Sequence, residues 1–373
     1  MRCVHFGECG SCTLALPYED QLNFKANFIA DKFREFFDGE LEIFSSKPQR
    51  YRSRAEFGIW HENNEIYYTM HGSKSKFIKI SECPKVDESI AALMPRLLEE
   101  LGASNELKSK IFGVEFISTS ELCAVILLYH KRLDGLEAAF SELAKRIGVK
   151  IIARSRGQKI SSDERELCDS FEINGLRYVL NFSDSAFIQP NKGVNEKMIT
   201  WAQKCVNDNA GVRNGSDLLE LYCGHGNFTI PLAGKFRRVL ATEISKSSIA
   251  NALKNCEQNG IGNIKFLRMS AEELMSAFGG EREFRRLEGV NLSDFAFSHV
   301  LVDPPRAGLD SSVINFIKNY ENIVYISCNP QTLYENLKEL SLTHKATKFA
   351  MFDQFANTNH IECGVVLKKD ECR

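Results

Sequence analysis

The chain has no apolar run long enough to span a membrane, no export signal after Met1, and no excess of charge of either sign. The first two absences argue against a membrane role and lead us to expect a soluble, cytoplasmic protein. The third, 47 basic against 49 acidic side chains for a net charge of −2, means that bulk electrostatics does not announce a nucleic-acid partner. Internal repeats and low-complexity tracts are also missing.

What is present is room for two cores, since 373 residues at 43% apolar composition bury substantial interiors. Twelve cysteines without an export signal read as thiols, metal ligands or catalysts rather than as a disulfide framework. Charge is concentrated locally. Lys145, Arg146, Lys150, Arg154, Arg156 and Lys159 form an acid-free run, and Lys47, Arg50, Arg52, Arg54, Lys74, Lys76 and Lys79 outnumber Glu56, Glu62 and Glu65. Both stretches suit phosphate contact, and both also suit a solvated face.

Two patterns divide the chain near residue 180. Before it, β alternation at Arg54 to Trp60, Glu65 to Met70, Lys76 to Ile80, Gly113 to Ser118, Cys123 to Tyr129 and Lys150 to Arg154 is interrupted by helical spacing at Asp87 to Leu101 and Leu136 to Ile147. This predicts an α+β domain over residues 1–180 on a mostly antiparallel sheet. Over 181–373, strands and helices alternate and two strands close the chain, which predicts an α/β, Rossmann-type domain of five parallel strands ending in an antiparallel pair. The charged, glycine-containing stretch from 277 to 296 reads as a loop insertion.

Two features of the second region carry chemistry. Leu218 to Tyr222 is an apolar strand running into Cys223-Gly224-His225-Gly226-Asn227-Phe228, a turn whose glycines admit a ligand close to backbone and whose helix start offers free N–H groups. Glu243, at the end of the next strand, is placed to accept both hydroxyls of a ribose. This fits NAD as well as S-adenosylmethionine. Further on, Asp303 ends the fourth strand and Cys328, in Tyr325-Ile326-Ser327-Cys328-Asn329-Pro330, ends the fifth, so both face the crevice at the carboxyl ends of the sheet. The helix beginning after Asn329 is expected to favour the Cys328 thiolate.

Taken in order, Leu219 to Phe228, Val302-Asp303-Pro304-Pro305-Arg306 with Gly308-Leu309-Asp310, Tyr325 to Pro330, and Phe352-Asp353-Gln354-Phe355 followed by His360-Ile361-Glu362-Cys363-Gly364-Val365 resemble the RNA uracil-C5 methyltransferases, and their tRNA-modifying members most. The resemblance extends into the first domain through Tyr51 to Phe57 and Leu128 to Lys131. It implies S-adenosylmethionine as methyl donor, Cys328 as the nucleophile that adds to uracil C6, and Glu362 as the base that removes the C5 proton. It assigns the cofactor pocket to Gln189, Tyr222, Asn227, Glu243 and Asp303. The implied partners are tRNA through its T-loop and tmRNA, with the protein acting as a monomer and away from membranes. Tyr51, Arg52, Arg54, Phe112 and His130 become candidates for stacking and phosphate contacts in an RNA-binding first domain.

The amino-terminal cysteines depart from those members. Cys3, Cys9 and Cys12, with the later Cys83-Pro84, resemble a 4Fe-4S site of the kind found in the related rRNA enzymes, with zinc as the competing metal and unligated thiols as the plain alternative. They keep open a 23S rRNA target, and an RNA-binding role in which catalysis is secondary stands as a further alternative.

Overall fold

The computed structural model describes residues 3–74, 76–208, 215–280, 282 and 284–370. Its first elements, α1 (Tyr18–Phe33) and the short strand β1 (Glu42–Phe44), belong with a sheet formed much later in the chain. The first sheet begins at β2 (Arg54–Glu62) and β3 (Glu65–His71), which turn on Asn63 and Asn64. Both asparagines have positive φ (52° and 64°), the mirror-image turn that matches the twist of a hairpin. There follow β4 (Phe77–Ile80), α2 (Glu88–Ala103), α3 (Asn105–Lys108), β5 (Ile111–Ser118), β6 (Cys123–Tyr129), α4 (Glu137–Ile147), β7 (Lys150–Ser155) and β8 (Gln158–Ser161).

The strand order is β4-β3-β2-β5-β6-β7-β8, with only the β6–β7 pair parallel. Helix α4 supplies the crossover that a parallel pair needs. Asp87 caps α2 by accepting from Ser89 N, and Gly148, at φ 74°, ends α4. The two helices bury Ile90, Leu97, Leu101, Phe140 and Leu143 against one face of the sheet. The expected α+β unit is therefore present, while Trp60 and Phe112 stand exposed.

A hairpin of β9 (Leu167–Ile173) and β10 (Leu176–Phe182) turns on Asn174-Gly175 and packs Phe171, Ile173 and Leu180 into the second core. The chain then runs through α5 (Lys192–Asp208), β11 (Asp217–Leu221), α6 (Thr229–Leu232), β12 (Arg238–Thr242), α7 (Lys246–Gln258), β13 (Ile264–Leu267), α8 (Ala271–Phe278), β14 (Phe297–Val302), α9 (Ser311–Ile317), β15 (Asn322–Ser327), α10 (Pro330–Leu340), β16 (His344–Phe352) and β17 (Glu362–Lys369). Strand order is β1-β16-β17-β15-β14-β11-β12-β13, with β17 antiparallel to both its neighbours. The five parallel strands and closing antiparallel strand are those expected of a Rossmann-type methyltransferase fold. An eighth strand, β1, adds parallel to β16, with Phe44 stacked on Phe352 at 4.8 Å. The second unit thus draws on residues both before and after the first sheet, rather than on 181–373 alone.

Because β11, β12, β14 and β15 are parallel, their carboxyl ends share one edge, and because β17 runs the other way its first residue, Glu362, starts at that edge. A buried ion pair fixes the approach to it. Lys25 of α1, 1% exposed, donates to Asp353 Oδ1 at 2.6 Å and to Phe355 O at 3.1 Å, while Tyr18 OH donates to Asp353 Oδ2. Gln21 holds Asn357 through both its main chain and its side chain. Lys25→Met strands the Asp353 charge in the interior, and we expect it to cost about 3–5 kcal/mol in urea unfolding. Adding Asp353→Asn recovers part of that loss, because the orphaned charge goes with it.

Candidate active site

Cys328 lies one residue beyond β15, at the mouth of α10. Asn329 caps that helix by accepting from Gln331 N, and Pro330 occupies its first turn, where a missing N–H costs nothing. The neighbouring loop after Asp303 is bolted to the same helix. Arg306 O accepts from Asn329 Nδ2 (3.0 Å) and Thr332 Oγ1 (3.3 Å), and the Asn336 side chain bonds both N and O of Leu309 and accepts from Tyr325 OH. Gly308, at φ 76°, passes so close to Asn336 that a Cβ would sit 2.8 Å from its Oδ1. Asp303 and Cys328 are therefore carried by one rigid assembly.

Glu362, 2% exposed, joins them electrostatically. Its carboxyl is pushed well above the ordinary range by burial and then by the charge of Asp303, with Arg306 opposing. Burial also raises Asp303. Each of the two buried carboxyls therefore disfavours ionisation of the other. The Cys328 thiol is pushed up to about 11, first by burial, then by Glu362 and Asp303, with Arg306 again opposing. This corrects the expectation of a thiolate favoured by the helix start. Desolvation and the two acids outweigh the helix terminus.

The glycine turn after β11 has the backbone that ligand approach needs: Tyr222, Gly224 and Gly226 take φ of 64°, 57° and 96°. A Cβ at Gly226 would lie 2.9 Å from Ile230 Cγ1, so the following helix start is packed directly on it. Glu243 accepts from Gly224 N (3.2 Å) and Ser245 N (2.7 Å), which locks the acid against the turn and leaves further lone pairs on both oxygens. Asn227 exchanges two hydrogen bonds with Asn195 (2.8 and 3.0 Å). Gln189 Oε1 accepts from Gln354 Nε2 at 2.7 Å, which turns the Gln189 amide hydrogens to other partners. Tyr222, Asp303 and Cys328 all act on the buried Tyr325 phenol, so the turn and the cysteine lie about one point.

Three contributors went unassigned in the sequence. Gln354 and Asn195 orient Gln189 and Asn227, and Gln354 lies within the motif quoted above. Glu220 is an acid inside a continuous apolar strand, a signal visible in the sequence. Its carboxyl is buried beneath the turn, its pKa is pushed up to about 8 by burial, and its Oε2 has no partner among the described residues.

Cys3, Cys9, Cys12 and Cys83 do line one cavity, yet among the described residues no three His, Cys, Asp or Glu side chains gather closely enough to hold an ion. Cys9 and Cys83 instead pack against the first apolar core as small hydrophobic residues. Cys9 and Cys83 act electrostatically on both Cys3 and Cys12, so the four thiols are neighbours in one cavity.

Six cations of the basic stretches are paired with acids. Arg146 pairs with Glu100, Lys150 with Asp163, Arg154 and Lys159 with Asp184, Arg54 with Glu115 and Lys79 with Glu62. Tyr51 is buried with its OH on Ala356 O, so it offers no stacking face. Phe112, 40% exposed, stacks on His130 at 3.9 Å.

Comparison with known proteins agrees with this geometry. A protein of Campylobacter curvus (strain 525.92) named tRNA/tmRNA (uracil-C(5))-methyltransferase is 91% identical over 369 residues, covering 99% of this chain and all of that one. A protein of the same name from Aliarcobacter butzleri (strain RM4018) is 44% identical over 379 residues, covering 99% of each. Among solved structures, the tRNA (uracil-54, C5)-methyltransferase of Pyrococcus abyssi in complex with S-adenosyl-L-homocysteine shares the fold, with a TM-score of 0.67, 21% identity and coverage of 94% of this chain and 84% of that one. The model of the tRNA (Uracil-5-)-methyltransferase family matches residues 17–370, and the chain belongs to that family.

Proposed function

We propose that this protein methylates C5 of uridine in tRNA, at T-loop position 54, and in the tRNA-like loop of tmRNA, as the names of its relatives suggest. The observation that carries the reading is one shared sheet edge holding Cys328, Asp303 and Glu362 beside the glycine turn. The turn, Glu243, Asn227, Tyr222 and the Gln189 side chain oriented by buried Gln354 suit an S-adenosyl group.

When bound, S-adenosylmethionine supplies an electrophilic methyl. Uracil C5 is a poor nucleophile, so Cys328 first gives up its thiol proton, which passes by way of the Asp303 carboxylate to solvent and leaves Glu362 able to accept a proton later, and the thiolate adds to C6. The electron pair of the C5–C6 double bond moves toward O4, and the enolate carbon C5 then takes the methyl. Glu362 removes the C5 proton, the double bond reforms, and Cys328 leaves as thiolate. The target base must come out of its stack, at a few kcal/mol, less within a loop. The first sheet, with Phe112 on His130, is placed to grip RNA while this happens.

The test is incubation with tritiated S-adenosylmethionine and separated tRNA and rRNA pools, followed by nucleoside analysis. Label in tRNA as 5-methyluridine is the expected result. Label confined to rRNA overturns the tRNA assignment, and no label in either overturns the activity.

A further inference from the structure

A cavity of about 680 Å³ lies beside the catalytic loops, walled by the amino-terminal segment, the first sheet, the turn around Lys85, and the loops bearing Arg306 and His360. Lys85, 4% exposed, donates to Ser11 Oγ at 2.7 Å and Ser11 O at 3.0 Å and also bonds the Cys12 side chain, and none of these is a carboxylate. Among the described residues no carboxylate pairs with Lys85, Arg52 or Arg306, whereas six of the thirteen cations of the two basic stretches found acids. A buried ammonium without a counter-charge is expensive, and a bound anion relieves the cost.

The three charges converge. The His360 imidazole is held below its ordinary pKa by burial and then by Arg306, Lys25, Lys85 and Arg52, so four cations are felt at one ring two residues before Glu362. Lys25 is already neutralised by Asp353. The cavity's own acids are Glu56, on the first sheet, and Glu82, whose charge acts on Cys3. The opening is also amphipathic, since Phe355 lines it beside the cations.

We propose that this cavity seats a phosphodiester of the RNA strand adjoining the target uridine, with Lys85 as the buried contact and Arg52 and Arg306 at its rim. The inference rests on the methyltransferase reading above. It also gives the amino-terminal segment a task that requires no metal: Ser11 fixes Lys85, and Thr13 holds the main chain of Asn357 and Asn359, so the segment braces the cavity and the loop before Glu362.

The experiment measures binding of a T-arm RNA hairpin across a salt series, together with KM and kcat for its methylation, in the wild type, Arg52→Gln and Lys85→Met. Arg306 is not substituted, because its charge also acts on Cys328. Each variant is expected to raise KM more than it lowers kcat, and to flatten the slope of log K against log salt by about 0.7 for one lost phosphate contact on single-stranded RNA. A hairpin with uncharged methylphosphonate linkages flanking the target should weaken wild-type binding and add nothing to the defect of Arg52→Gln. Arg52 is half exposed, so this variant keeps the test intact if Lys85→Met fails to fold. Slopes and KM unchanged in a wild type that methylates the hairpin overturn the phosphate site alone. A wild type that neither binds nor methylates the hairpin overturns the site and the proposed function together.

Discussion

Cys328→Ala is expected to abolish methyl transfer, with kcat down on the order of 10⁴-fold or more, while cofactor affinity measured by calorimetry stays near that of the wild type. The turn, Glu243, Asn227 and Gln189 hold their geometry through bonds to Gly224, Ser245, Asn195 and Gln354, and none of these involves Cys328. The thiol acts on the base, not on the sulfonium. RNA carrying 5-fluorouridine at the target position separates this role from a structural one, because fluorine at C5 cannot leave as a cation and the enzyme stays attached. The wild type should give a protein–RNA band on a denaturing gel and Cys328→Ala none. A variant that loses cofactor binding and its cooperative melt together would show instead that Cys328 is a packing residue, the ordinary fate of a half-buried cysteine.

Much of the second unit is legible in the sequence because its strands are buried on both faces. Asp217 to Leu221 and Asn322 to Ser327 are buried throughout, and continuous apolar runs of that length between helical segments have few other readings. Once those strands are ordered, Asp303 and Cys328 must share an edge. The three residues of β1 carry no such signal, since their partner β16 lies some 300 positions away and only the fold brings Phe44 onto Phe352. The β9–β10 hairpin could have been read, because Asn174-Gly175 is a strong two-residue turn signal. Charge is where local reading fails. Arg154 and Lys159 look free in a basic run, yet both reach Asp184, outside that run. The Cys328 thiol looks activated beside a helix start, yet Glu362 and Asp303 arrive from other strands and raise its pKa. Spacing along a chain predicts which residues meet at a sheet edge; it does not predict the solvent they lose there.

Glu362→Gln is expected to separate the two halves of the reaction. Glutamine keeps the shape of the side chain and its hydrogen bonding but takes no proton at neutral pH, so removal of the C5 proton should slow by about 10²–10⁴-fold. The first half should not slow in step. The glutamate charge is one of the two that hold the Cys328 thiol high, and its removal lowers that pKa toward the ordinary cysteine value, so the thiolate forms more readily. Asp303 remains to take the thiol proton. Methyl transfer then runs once per active site and stops, with the methylated base still joined to Cys328. With labelled cofactor and target tRNA, radiolabel should accumulate on a protein–RNA band that the additional substitution Cys328→Ala removes. Alkylation of Cys328 by iodoacetamide in the free protein should also reach its half-maximal rate at lower pH than in the wild type. Normal turnover by Glu362→Gln sinks the assignment and moves the base to Asp303, whose charge acts on the same site.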